Sequence, residues 1–515
     1  MHDLLAGLME TLTLVNIAFI IFGVATGIIV GAIPGLNGPM AIAVALPLTY
    51  YLSPLAALAF LIGISKGSMF GGSISAILIN TPGTPEAAPT AFDGYPLTQQ
   101  GKGLKALKMS LFSSAIGATA GDLILFFTAA PAAILALMMG PAEMTAVLLF
   151  SFTIIAGLAG KSPMRGCLAA IFGVFLSVVG LDPESTLPRL TFGSVQLQDG
   201  IPLIPLTIGL LALSEILLQI EDHLMRGDAS GRRNDIFSKD APRENRTVTR
   251  ADWRSCARTI WRSSLIGIGI GALPGVGAVV AGFLGYASAK RNSPNGDKFG
   301  TGQLEGVAAT EAANNAVTGS ALIPLLAIGI PGNLTATILI GAFLIHGVQP
   351  GPLIFKEHGA LVYGLFGAMA LADLFTLTLG AVGLRLFSLV LNVPNAVLYP
   401  VIVLLCMAGA YSSDNSMFGV AIALIFAVLG YLMRKLDFSF ATFLIGFALG
   451  RQFELFFRQS LILFRDSPAQ LLHHPIAIAF VLLTIVSLWR IGRKKPAAGA
   501  QAEPSPSFAG AENVQ

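Results

Sequence analysis

Charge is what this chain has least of. Asp, Glu, Lys and Arg make up 11% of its 515 residues, against 54% hydrophobic ones, and the mean hydropathy is +0.76. Soluble domains carry about 25% charged residues, so this scarcity excludes a soluble enzyme and marks an integral membrane protein. Cysteine is scarcer still. Cys167, Cys256 and Cys406 lie far apart, which excludes a disulfide framework and a cysteine-held metal cluster. A net charge of +3 is close to neutral, and no Lys/Arg run is interleaved with aromatics, so no nucleic-acid partner is expected. Met1 to Glu10 holds no Lys or Arg, unlike the positive n-region of a signal peptide, and reads as a mature start.

Catalytic signatures are missing too. "GLAGKS" ends in Gly160-Lys161-Ser162, but a phosphate-cradling loop needs a Gly where Ile155 stands. No H-E-x-x-H or G-x-S-x-G occurs, and His2, His223, His346, His358, His473 and His474 form no ligand spacing. No enzyme activity and no cofactor is expected. Energy for any transport must come from an ion gradient or a separate subunit.

What the chain has instead is apolar length. Runs approaching the roughly 20 residues that cross a bilayer lie near 12–33, 106–130, 142–160, 165–181, 201–220, 262–288, 360–390, 395–411, 413–433, 437–450 and 474–491. Two further regions, Gly31 to Pro96 and Gly271 to Pro352, are apolar but interrupted by Gly, Pro, Ser, Thr and Asn. Irregular backbone survives at membrane depth only inside protein or along a watery cavity, so both regions are candidate binding sites.

The two regions repeat each other. "GIIVGAIPG" (Gly27, Gly31, Pro34, Gly35) matches "GIGIGALPG" (Gly267, Gly271, Pro274, Gly275) at a displacement of 240. Gly72-Ser73 matches Gly319-Ser320 at 247, Pro82-Gly83 matches Pro331-Gly332 at 249, and Asp122 matches Asp373 at 251. An ordered series of this kind predicts a duplicated half. Paired Gly/Pro-interrupted segments in two halves point to a transporter's central site. The expected fold is an all-α polytopic membrane protein with about 11–12 transmembrane helices plus broken helices, in two repeated, inverted halves.

Between the halves, Glu221 to Arg262 holds 17 of the 59 charged residues, ten of them basic. Positive loops stay in the cytoplasm, and "WRIGRKK" closes the last apolar run with the same sign. The expected organisation is a first transmembrane repeat over 1–220, a cytoplasmic linker over 221–261, a second repeat over 262–491 and a disordered cytoplasmic tail over 492–515. The N-terminus is then outside and the C-terminus inside.

Site candidates follow from chemistry. Pro34, Pro82, Pro274 and Pro331 break helices and free carbonyls. Carbonyls at Gly35 and Gly275, helped by Asn37, could hold Na⁺, while half-helix N-termini receive anions. Ser73, Asn80, Thr81, Gly83, Asn314, Ser320, Gly332, Asn333 and Thr335 offer small donors suited to a carboxylate. Inter-helix hydrogen bonding is the bland reading of the same residues. Lys66, Asp122, Glu311 and Asp373 are ionisable in apolar surroundings, a functional signal by default. Lys66 would neutralise a substrate carboxylate or pair with Glu311, and Asp122, Glu311 and Asp373 are candidates for cation or proton coupling. A passive organic-anion channel and an intramembrane aspartyl enzyme are rival classes.

"GAIPGLNGPMAIAVALPLTYYLSPLAAL", "KGSMFGGSISAILINTPGTPEAAPTAFDGYPL", "GALPGVGA" and "EAANNAVTGSALIPLLAIGIPGNLTATILIGAFLIHGVQPGP" resemble the large membrane subunit, or TctA-type permease, of the tripartite tricarboxylate transporters. The similarity runs from about residue 10 to 490. It implies a bacterial inner-membrane secondary transporter that works with a small membrane subunit and a periplasmic solute-binding protein. The implied cargo is a di- or tricarboxylate such as citrate, or a related organic acid, taken up with Na⁺ or H⁺. The two broken segments are expected to form the site and to move against a scaffold of the remaining helices by alternating access, as an elevator.

Overall fold

The computed structural model describes residues 2–158, 163–182, 184–226, 242–389, 395–465 and 468–493. Helix follows helix. From the N-terminus come α1 (His2–Thr11), α2 (Leu14–Ala32), α3 (Gly38–Ala45), α4 (Pro54–Ile79), α5 (Ala88–Gln99), α6 (Gly103–Ala136), α7 (Pro141–Leu158) and α8 (Pro163–Ser177). A small hairpin, β1 (Gly180–Leu181) against β2 (Pro188–Arg189), is the sole sheet among the described residues. A π-wound turn over Ile208–Leu213 joins α9 (Leu203–Thr207) to α10 (Ser214–Arg226). Then follow α11 (Arg243–Arg246), α12 (Arg250–Gly271), α13 (Gly277–Asn292), α14 (Leu304–Ser320), α15 (Leu322–Ile328), α16 (Leu334–Ile345) and α17 (Ile354–Glu357). Last among the described residues come α18 (Gly359–Leu389), α19 (Asn395–Asp414), α20 (Met417–Lys435), α21 (Phe440–Leu463) and α22 (Pro475–Arg493).

Among the described residues, seven helical stretches are long and apolar enough to cross a membrane, in α2, α4, α6, α9 with α10, α18, α20 and α21. Shorter apolar helices lie in α7, α8, α16, α19 and α22. The chain is thus the all-α polytopic membrane protein its composition requires.

Glycine decides which helices touch. Lipid offers no hydrophobic drive for helix association, so close backbone contact must supply it. A Cβ on Gly23, Gly27 or Gly31 of α2 would lie 2.3 Å from the carbonyl oxygen of Phe60, Ile64 or Ser68 on α4. Gly67 of α4 meets the Val24 carbonyl in the same way. In the second half, Gly267 of α12 meets the Ala313 carbonyl of α14. The halves also interlock: Gly117 and Gly121 of α6 lie on the Ala312 and Ala316 carbonyls of α14, while α18 packs against α4 and α2.

Three expectations are corrected. The stretch Gly31 to Pro96 is not irregular throughout, because α4 runs unbroken through Gly63, Gly67, Gly71 and Gly72, where glycine serves packing. Residues 262–288 are not one span, since α12 ends at Gly271 and α13 starts at Gly277. The charged region is not a loop as far as 261: α12 already begins at Arg250, started by a capping box between Thr249 and Asp252. Arg232, Arg233, Lys239, the "GKS" at 160–162 and the tail beyond 493 lie outside the described residues.

Candidate functional site at the broken helices

The predicted breaks occur where proline removes a backbone donor. After α2, Pro34 leads into Gly35 at φ +86°, and Asn37 caps α3 by accepting the Met40 N–H on Oδ1 at 2.9 Å. After α12, Pro274 leads into Gly275 at φ +78°, and α13 follows. α4 ends at Asn80 in the left-handed region, and Pro82-Gly83 leads through a 3₁₀ turn at Pro85–Ala87 into α5. α15 ends at Gly329 in the left-handed region, and after Pro331-Gly332 the side chain of Asn333 caps α16 through the Ala336 N–H at 2.8 Å. Two of the breaks hold each other, since Gly275 donates its N–H to the Gly332 carbonyl at 2.8 Å, while Gly83 donates back to the Gly72 carbonyl within α4 at 3.1 Å.

These breaks enclose a cavity of about 250 Å³. Its wall includes Asn37 and Pro39 at the start of α3, Pro85 and Glu86 before α5, Gly275 to Val279 at the start of α13, and Asn333 to Thr335 at the start of α16. Ser65, Lys66, Met69, Thr318 and Phe440 also line it. Four helix N-termini thus contribute to one wall. Such termini carry unpaired N–H groups and the positive end of the helix dipole, which is an anion-binding environment. The carboxyl of Glu86 on the same wall opposes it.

Lys66 is 3% exposed, and two of its three ammonium donors are engaged. It donates to Asp122 Oδ2 on α6 at 2.7 Å and to Asp373 Oδ1 on α18 at 2.6 Å. The expectation that Lys66 pairs with Glu311 is therefore corrected: Lys66 points at α6 and α18, whereas Glu311 is held by α5 and α6. Thr119 donates to Asp373 Oδ2 at 3.4 Å, while Asp122 Oδ1 is buried without a hydrogen-bond partner. Both aspartates share one lysine, and their carboxyls also lie within reach of each other.

Glu311 is wholly buried. Thr90 of α5 donates to its Oε1 at 2.5 Å and Ser114 of α6 to its Oε2 at 2.9 Å.

The other predicted residues divide. Asn37, Lys66, Gly275, Asn333 and Thr335 share the cavity wall. Asn80 and Thr81 are exposed beyond the end of α4 and do not line it. Ser73 is buried against Ser110, Oγ to Oγ 2.6 Å, and Ser320 donates to the Ala316 carbonyl at 2.9 Å. Gly83 and Gly332 lie tight against the Gly31 and Ala321 carbonyls, and Gly35 against the Gln219 side chain. Asn314 donates to the Glu86 carbonyl at 3.2 Å, one step behind the wall. Thr318, among the polar residues of the second broken segment, also lines the cavity, and Glu86 is a cavity residue that sequence reasoning passed over. For Glu86 a signal existed, an acid within the otherwise uncharged "TPGTPEAAP".

Residues 17–445 match the family model of the tripartite tricarboxylate transporter TctA family. The chain belongs to this family. It is 32% identical over 479 residues, 93% of each chain, to an uncharacterized 52.8 kDa protein of Agrobacterium vitis from the TAR-I ttuC' 3' region. A second Agrobacterium vitis protein, from the TAR-II ttuC' 3' region, is 35% identical over 217 residues, 42% of this chain and 90% of that one. No solved structure matches. For a TctA family member the broken helices fall entirely within the matched region, so the cavity is built from family sequence. The family is a transporter family, and this chain is its multi-pass membrane component.

Proposed function

We propose that this TctA family member is the permease for a carboxylate anion, a di- or tricarboxylate such as citrate, imported by alternating access with Na⁺ or H⁺. The single observation that carries the reading is the convergence of four helix N-termini on one cavity. Asn37, Asn333 and Thr335 add neutral donors to that wall, so a carboxylate meets partial positive charge with little to desolvate. The ammonium of Lys66 is committed to two aspartates and contributes field more than a direct contact. Glu86 supports coupling, because an anion entering beside a carboxyl needs a positive charge to accompany it.

Membership in a tripartite family supports a small membrane subunit and a periplasmic binding protein as partners, and a bacterial inner-membrane location. The order of helix breaks supports inverted halves: α12 reaches its break from the basic linker, while α2 reaches its own from the N-terminal side, which lacks Lys and Arg.

The test uses proteoliposomes holding the chain and its small subunit, supplied with binding protein and labelled citrate under Na⁺ or H⁺ gradients. Asp caps a helix as well as Asn does, so Asn333→Asp keeps the α16 cap and adds a negative charge to the wall. Asn333→Asp should lower uptake at subsaturating citrate at least about tenfold, a cost of about 1.4 kcal/mol, while Asn333→Ser should lower it far less. Equal rates for Asn333→Asp and wild type would remove Asn333 from the binding wall.

A further inference from the structure

We infer that Glu311, with the hydroxyl oxygens of Thr90, Ser110 and Ser114, forms the binding site for the monovalent cation that drives transport, a proton or Na⁺. The inference rests on the symport reading above and assigns that ion a place.

A carboxylate at membrane depth needs a proton, a paired cation or a metal ion. Glu311 is 0% exposed, and no Lys, Arg or His forms an ion pair with it among the described residues. Its neighbours are all oxygen-bearing and come from three helices. Thr90 Oγ1 lies 2.5 Å from Oε1 and Ser114 Oγ 2.9 Å from Oε2, and the side chains of Ser110 and Asn314 lie beside the carboxyl. Hydroxyls rotate, so each can donate to an empty carboxylate or turn a lone pair toward a bound ion. A carboxylate ringed by neutral oxygens suits a hard cation, and the same pocket holds a protonated Glu through its own O–H.

The Lys66 centre differs in kind. Its cation is covalently part of the chain and stays with Asp122 and Asp373. Glu311 has no such tenant, so an exchangeable cation is drawn there. The site also reaches the cavity without opening into it. Asn314 donates to the carbonyl of Glu86 on the cavity wall at 3.2 Å, and Thr90 follows Glu86 by about one turn at the start of α5. Loading Glu311 therefore reorders the donors that hold the N-terminal end of α5, one of the four ends facing the anion.

The experiment reconstitutes the chain with its small subunit and binding protein and uses labelled citrate in two arms, an inward Na⁺ gradient at fixed pH and an inward H⁺ gradient without Na⁺. The arm that drives wild-type accumulation identifies the ion. Glu311→Gln, a neutral isostere of the loaded site, should abolish accumulation in that arm while citrate exchange persists and loses its dependence on the ion. Thr90→Val and Ser114→Ala keep the carboxylate and remove one ligand oxygen each. Either should raise the half-saturating Na⁺ concentration about tenfold in the Na⁺ arm, or displace the pH profile of uptake in the H⁺ arm. If Glu311→Gln loses exchange as well, these two variants decide. Accumulation by Glu311→Gln with wild-type ion dependence, or wild-type ion dependence in both hydroxyl variants, overturns the inference. Failure of the wild type to accumulate citrate or any carboxylate bound by the binding protein, in either arm, overturns the transport reading instead.

Discussion

Lys66 shows how much one buried side chain is asked to do. Its ammonium serves two carboxylates, so the cluster carries one negative charge in excess when all three groups are ionised. Removing either acid and removing the base are therefore unequal changes. Asp122→Asn leaves a one-to-one pair of Lys66 with Asp373 and touches the carboxylate whose Oδ1 has no partner. It should cost less than about 1 kcal/mol. Lys66→Met leaves two buried carboxylates with no cation and should cost about 3–5 kcal/mol, as breaking a buried pair does. Thermal unfolding of the detergent-solubilised protein distinguishes them: a large fall in Tm for Lys66→Met and a small one for Asp122→Asn. An equal fall for both would mean that the excess charge is already neutralised. The four ionisable residues were legible in the sequence because charge is so scarce there. Their pairing was not, because Lys66 meets partners 56 and 307 residues away and no local pattern reports which face of α4 it occupies.

At the scale of the element, the same residue type carries opposite messages. Pro34 and Pro274 end helices as read, each followed by a glycine with positive φ. Pro131 and Pro400 lie inside α6 and α19 without ending them, since neighbouring groups in a bundle can satisfy the freed carbonyl. Glycines of α4 read as breaks turn out to be contact points, and a single chain offers no means of separating the two uses. The distinction is measurable. A Cβ on Gly121 would stand 2.2 Å from the Ala316 carbonyl, whereas nothing lies within 4 Å of the Cβ position at Gly269. Gly121→Ala must push α6 off α14 and should cost about 1–3 kcal/mol. Gly269→Ala, inside α12, should be neutral or stabilise by up to about 1 kcal/mol. Comparing their Tm values in one detergent checks both signs.

For the whole molecule, the membrane class was legible in the sequence, where four matched landmarks in order also carry the expectation of a repeat. The way the halves engage was not, because α6 and α18 each cross to the other half's helices through contacts that glycine permits but does not announce. The proposed orientation places the hairpin region outside and the α13–α14 connection inside. Cys256 and Cys406 are buried and Cys167 half-buried, which leaves a quiet background for labelling. Ser185→Cys should react with a membrane-impermeant maleimide on intact spheroplasts, and Thr301→Cys only after permeabilisation. Both positions are exposed. The reverse pattern would invert the topology.

The shared lysine also sets a timetable for synthesis. Lys66 leaves the ribosome 56 residues before Asp122 and 307 before Asp373, and translation adds about 5–20 residues per second. For a few seconds α4 must sit at the insertion machinery with an uncompensated ammonium, and for tens of seconds with only the partner from α6. Asp122 is thus the early chaperone of a charge that α18 arrives much later to share, so the first half can be held in the membrane, incomplete, until the second is made.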